Sequence, residues 1–180
     1  MPRKKNDFKL DVISVRLVKD APILSNHKII TPQDALDIIG NELCEMDREV
    51  VCVINLKSDL TPINCHFASI GALNEAIVHP RELFKASILS NAASMILVHS
   101  HPSGTLLPSK QDVNVTDRLI EVCGIMGIPL LDHVIVGGDN REFFSFKQKG
   151  IMPNPSYLLR TDYQELEFKP AVVLEKGKKR

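Results

Sequence analysis

Two histidines, a serine and an aspartate stand close enough in the sequence to do chemistry together. Met95-Ile96-Leu97-Val98 is an apolar run of the kind that forms a buried strand, and it delivers His99 and His101 at spacing i, i+2. On an extended chain alternate side chains share a face, so both imidazoles can point to one place. Pro102-Ser103-Gly104 signals a turn, Pro108 precedes Ser109, and from Ser109 the spacing turns helical with Asp112 on the first turn. Two neutral imidazoles and one carboxylate, from a strand end and a helix start, make a three-ligand set for zinc with the fourth position left to water. Each piece also has a plainer use. Ser109-x-x-Asp112 is close to a helix capping box, and a lone buried histidine is more often packed or hydrogen-bonded than ligating. The conjunction favours the metal site.

His99-Ser100-His101, seven residues, Ser109, two residues and Asp112 read H-x-H-x7-S-x-x-D. This resembles the JAMM (JAB/MPN) metalloprotease motif with no departure in spacing. Val78-His79-Pro80-Arg81-Glu82, Asn91-Ala92-Ala93, His101-Pro102-Ser103-Gly104, Leu131-Asp132-His133-Val134-Ile135-Val136-Gly137 and Phe144-Ser145-Phe146 are similar to the RadC branch of that superfamily. The resemblance runs from about Thr31 to Gly150. It implies a zinc ion on His99, His101 and Asp112, and a cytidine-deaminase-like three-layer fold. It also implies roles that spacing alone does not supply. Glu49, at a helix-to-strand junction, reads from periodicity as a solvated turn residue. The JAMM glutamate, however, lies immediately before such a strand, and Glu49 with Val50-Val51-Cys52-Val53 occupies that place. The resemblance therefore makes Glu49 the general base and Ser109 the hydroxyl donor to an oxyanion. Glu42, Glu45, Glu75 and Glu82 are weaker candidates for the base.

The elements that must position these residues follow from local signals. Lys9 to Val18 alternates apolar and polar residues and suggests an edge strand. Thr31-Pro32-Gln33-Asp34 is a helix start, and helical spacing continues to about Asp47. Val50 to Leu56 and Ile63 to Ile70 read as hairpin-paired strands. Ala76-Ile77-Val78 is a short extended segment. A helix from Pro80 to about Ala93 follows, with His79 as its cap or a packing residue and a place near the metal as the alternative. After the strand Met95–His99 comes a helix from Lys110 to Met126, ended by Gly127. Ile128 to Val136 is another strand. Its Asp132-His133 reads as a structural hydrogen-bonded pair or as a strand end that supports the site from behind. Gly137-Gly138-Asp139-Asn140 turns into a partner strand, Glu142–Phe146. Alternating strands and helices predict one α/β domain, a mixed β-sheet flanked by helices. We divide the chain into an N-terminal extension (1–30), the RadC-like domain (31–150) and a C-terminal tail (151–180). Tyr157–Leu159 and Ala171–Leu174 could form short elements in that tail.

Composition bounds the function. With 180 residues, 44% hydrophobic and 24% charged, the chain has the make-up of a soluble globular domain. Net charge is zero, but seven of the 22 basic residues sit in Arg3-Lys4-Lys5 and at Lys176, Lys178, Lys179 and Arg180. From Asn6 to Leu174 there remain 15 basic against 21 acidic residues, so the body is acidic and ill suited to a broad nucleic-acid face. The basic ends could touch DNA phosphates weakly. Cys44, Cys52, Cys65 and Cys123 show no C-x-x-C and read as free thiols of a reducing compartment. No apolar run is of membrane-helix length and no signal core opens the chain, so a cytoplasmic protein is expected. Cysteine-ligated base deamination needs H-x-E with P-C-x-x-C, a serine hydrolase needs a nucleophile elbow, and ATP use needs a P-loop; none is present.

The expected activity is zinc-dependent hydrolysis of a peptide or isopeptide bond, with a protein or peptide as substrate. The alternative is an accessory role in DNA repair or recombination, the role long attached to RadC proteins. The helix-hairpin-helix region of longer RadC proteins is absent from the 30 residues before Thr31, and short versions of this kind resemble those of mobile elements. A non-catalytic scaffold is a third possibility, opposed by the intact Glu49, His99, His101, Ser109 and Asp112.

Overall fold

The computed structural model describes residues 13–14, 16–19, 27–70, 79–138 and 142–152. Helix α1 spans Pro32–Cys44. Thr31 caps it: its side chain accepts the Asp34 amide, and the Asp34 carboxylate accepts the Thr31 amide at 2.7 Å. Pro32 sits in the first turn, where its missing N–H costs nothing. Strands β1 (Val50–Leu56) and β2 (Pro62–Ile70) form the expected hairpin. Helix α2 is Pro80–Leu89, β3 is Ser94–Ser100, α3 is Lys110–Met126, β4 is Leu130–Val136 and β5 is Phe143–Ser145.

Among the described residues the five strands make one mixed sheet in the order β2-β1-β3-β4-β5. β1 is antiparallel to both β2 and β3, β3 and β4 are parallel, and β5 returns antiparallel to β4. A parallel pair needs a crossover, and α3 supplies it. Every residue of β1 and β3 is buried, as central strands covered on both faces require.

Side-chain alternation sorts the core into two layers. Val50, Cys52, Ile54, Leu56, Ile96, Val98, Val134 and Val136 pack beneath α1 against Leu36, Ile39 and Leu43. Val51, Val53, Met95 and Leu97 face the other way, toward Leu83 and Phe84 of α2 and Leu119 and Cys123 of α3. The result is the expected α/β three-layer domain, helix over sheet over two helices. No helix among the described residues is long and apolar enough to cross a membrane.

Several boundaries differ from expectation. α2 stops at Leu89 because Asn91 turns left-handed (φ 52°), with the Ala92 amide donating to Ser87 O and the Asn91 amide to Ile88 O, a Schellman closure. α1 ends at Cys44, three residues early. β4 begins at Leu130 because Gly127 (φ 67°) ends α3 and Ile128 N–H still closes that helix on Cys123 O. Of the edge strand expected over 9–18, Ile13, Ser14 and residues 16–18 form no strand and are exposed; its other residues lie outside those described. So do the extended segment 76–78 and the tail elements 157–159 and 171–174.

Candidate metal centre

The centre forms where β3 runs out beside the start of α3. Val51 of β1 pairs with His99, and His99 pairs with Ile135 of β4, so His99 lies on the sheet face covered by α2 and α3. Ser100 points the other way, its hydroxyl taking the Val50 amide at 3.2 Å. His101 returns to the face of His99, and the two rings meet edge to face at 4.6 Å. The chain then turns through Gly104 (φ 77°), whose amide bonds His101 O, and reaches Ser109. Gly137, just past β4, lets this turn approach: a Cβ there would stand 3.3 Å from both Gly104 O and Leu106 Cδ2.

Ser109 is the N-cap of α3 and Asp112 its third residue, and the two complete a capping box. The plainer use of Ser-x-x-Asp is therefore real, and it coexists with a second one. Asp112 Oδ1 lies 2.9 Å from His99 Nδ1, and Oδ2 lies 3.6 Å from His101 Nε2. All three side chains are buried, and their ligand atoms fall within 4.8 Å of one another.

The protons on these rings are constrained. His101 Nδ1 is 2.6 Å from Thr105 O, a carbonyl that can only accept, so Nδ1 carries the hydrogen. In neutral His101 the lone pair is then on Nε2 and aimed at a carboxylate. That arrangement is repulsive unless a cation stands between them. In the metal-free chain a proton can meet that need. Burial pushes the His101 pKa down, but the Asp112 carboxylate, the Thr105 carbonyl and the charge of Glu49 outweigh it and raise it. Burial likewise opposes ionisation of Asp112, yet hydrogen bonds from His101 and His99 hold its carboxyl well below the usual range. A divalent ion meets the same demand with more charge, and two nitrogens with one oxygen suit zinc. The residues present fit the group.

Glu49 and Ser109 border the same cleft, of about 270 Å³, together with the three cluster residues, Ser103, Thr105, Leu107 and Gln111. Glu49 is half-buried. The Ser109 oxygen takes the Asp112 amide at 3.2 Å, which occupies a lone pair and leaves its hydroxyl proton to be donated. All five sequence candidates thus meet in one place. The weaker glutamates do not join them. Glu42 and Glu45 are exposed, Glu82 pairs with Lys85, and Glu75 lies outside the described residues. His79 caps α2, its Nδ1 accepting the Arg81 amide.

Asp132 and His133 do not form a side-chain pair with each other, because consecutive strand residues face opposite ways. Asp132 holds the sheet edge, accepting from the Ser145 hydroxyl at 2.5 Å and the Lys147 amide at 3.0 Å. His133 lies behind the centre, stacked on Phe146 at 4.7 Å and near-parallel to His99 at 6.1 Å. Its Nδ1 is 2.6 Å from the hydroxyl oxygen of Thr116, which is itself 2.7 Å from Asp112 O. Sequence reasoning passed over Thr116 and the Thr105 carbonyl. Thr116 had a signal, since a threonine four residues after Asp112 on a helix can bond back to its carbonyl; the Thr105 contact had none. A further surface cluster, His27, Asp34 and Asp37, is geometrically able to hold an ion. Asp34 is committed to the α1 cap and Asp37 accepts from Gln33.

Comparison with known proteins agrees with this geometry. The profile of the RadC-like JAB domain family matches residues 29–151. A UPF0758 protein of Desulforamulus reducens is 46% identical over 121 residues, 67% of this chain and 52% of that protein. One from Caldanaerobacter subterraneus is 46% identical over 127 residues, 69% and 53% of the two chains. One from Clostridium beijerinckii is 40% identical over 125 residues, 69% and 54%. The chain spans about half the length of the curated relatives it matches. With its profile match covering the whole sheet and every cluster residue, the chain belongs to the RadC-like JAB domain family.

Proposed function

We propose that the chain is a zinc-dependent hydrolase of the JAMM type that cleaves a peptide or isopeptide bond. The observation that carries this is the convergence of His99 Nδ1, His101 Nε2 and the Asp112 carboxylate in a cleft that Glu49 also lines. A divalent ion on His99, His101 and Asp112 supplies Lewis acidity, lowering the pKa of a water from 15.7 to about 7.

The chain's own groups supply the rest. Glu49 takes a proton from the attacking water and delivers it to the leaving amine, as a carboxylate within reach of both can. The Ser109 hydroxyl, its oxygen fixed by the Asp112 amide, donates to the developing oxyanion. Buried walls around His99 and Asp112 keep the field between these groups strong.

Metal analysis of the purified chain, with assays on linear and isopeptide-linked substrates, tests this. We expect about one zinc per chain, cleavage by the wild type, loss of cleavage with retained zinc in Glu49→Gln, and loss of both in His101→Ala. Zinc-loaded protein that cuts neither kind of bond overturns it.

A further inference from the structure

Two buried ring nitrogens, His99 Nε2 and His133 Nε2, have no hydrogen-bond partner. Both residues are almost wholly buried, and they sit one diagonal apart on neighbouring parallel strands, Leu97 pairing with His133 and His99 with Ile135. Native interiors rarely leave such atoms unmatched.

Their protonation can be worked out from their other contacts. The Thr116 hydroxyl has one hydrogen. Asp112 O, a carbonyl, can only accept, so the hydroxyl donates there. His133 Nδ1, 2.6 Å from the same oxygen, must then be the donor in that contact. The ring is wholly buried and its side-chain partner is the uncharged Thr116 hydroxyl, so it is neutral and carries a single N–H. His133 Nε2 is therefore a bare acceptor. His99 becomes the reverse case once an ion is bound: its Nδ1, which donates to the Asp112 carboxylate in the metal-free chain, is then offered to the cation, and the hydrogen of the neutral ring lies on Nε2. With the ion in place one orphan is a donor and the other an acceptor, on nearly parallel rings 6.1 Å apart.

We propose that His133 is a positioning residue for His99: its Nε2 accepts the Nε2–H of His99 through one bridging water, and so fixes Nδ1 of His99 as the nitrogen presented to a metal. This rests on the metal-centre reading above. Through Thr116 the same ring also reaches the Asp112 backbone, so one imidazole braces two ligands. Partners of this kind typically contribute about 10–100-fold to metal affinity.

The test is a zinc titration against a competing chelator, with urea unfolding of the metal-free proteins alongside. His133→Asn places an amide where Nδ1 was, keeping the Thr116 contact without the distal acceptor. His133→Gln places one where Nε2 was. We expect zinc binding to weaken about 10–100-fold in His133→Asn and to recover in large part in His133→Gln, with no matching order in the urea midpoints. Nitrogen chemical shifts of the wild-type imidazoles give a readout that needs no variant, and should show His133 as the Nδ1–H form. Wild-type protein that binds no zinc removes the metal-centre reading itself. Tight zinc binding by wild type and His133→Asn alike, or an Nε2–H form of His133, overturns the positioning role alone.

Discussion

Ser109 and Asp112 hold each other across the first turn of α3: the serine oxygen takes the Asp112 amide at 3.2 Å, and Asp112 Oδ2 takes the Ser109 amide at 2.6 Å. The same carboxylate meets both imidazoles. Helix capping and ligand placement are one structure here, and substitutions can separate them.

Ser109→Ala removes the side-chain half of the box and leaves the backbone amide that orients Asp112. Loss of such a cap costs about 1 kcal/mol, or roughly 2–4 °C in Tm for a chain of this size. Zinc stoichiometry should be unchanged. Asp112→Ala should lose both the cap and zinc binding, and calorimetry with metal analysis compares the two. Equal zinc loading of both variants would remove Asp112 from the ligand set.

Leu119 lies wholly buried on the inner side of α3, against the sheet. Leu119→Ala should cost about 2–5 kcal/mol by lost burial and a residual cavity. Because this packing seats the helix that carries Asp112, saturating zinc should restore part of the loss, as binding to the folded state alone requires. Urea unfolding with and without metal measures it.

Acid should weaken the fold through His133. The folded protein keeps its ring neutral down to about pH 3, mainly by burial, whereas the unfolded chain takes a proton near pH 6.5. The unfolded state thus binds the extra proton, so this contribution is intact above about pH 6.5 and is lost as pH falls from there toward 3. His133→Phe, stacked on Phe146 in the same way, lacks it. Measured by urea unfolding in chelator, the stability of the variant relative to wild type should rise by ~2 kcal/mol between pH 6.5 and pH 5. A pH-independent difference would contradict the assignment.

The thiols should divide by accessibility. Cys52 is held protonated by its contact with Cys65 Sγ, 2.8 Å away, and by burial, and burial pushes Cys123 up to about 11. Alkylation at neutral pH should therefore modify the half-buried Cys65 well before Cys52 or Cys123 in the folded protein. All four should react once urea is added. Peptide mass spectrometry reads the order.

What could be read from the sequence was what depends on near neighbours. The Thr31 and Ser109 caps, the left-handed Gly127 and the shared face of His99 and His101 are settled within a few residues. Glu49 needed more. Its place at the cleft depends on β1 pairing with β3 across some fifty residues, which periodicity does not encode, and only the family resemblance singled it out. The early end of α2 hinged on Asn91 tolerating a positive φ, a weaker stop signal than glycine. The parting of Asp132 from His133 was implicit in strand alternation, but the partners of each, Ser145 and Thr116, come from other elements.

Gly137 has no side chain, yet a methyl group there would press on the turn that carries Gly104 and Leu106, while Cys44 Sγ donates to its carbonyl from the end of α1. The turn beside the cleft is thus seated from the rear, by a residue that does not line the cleft itself. Enlarging that one position would press on the same turn that holds His101, through the Gly104 amide and the Thr105 carbonyl.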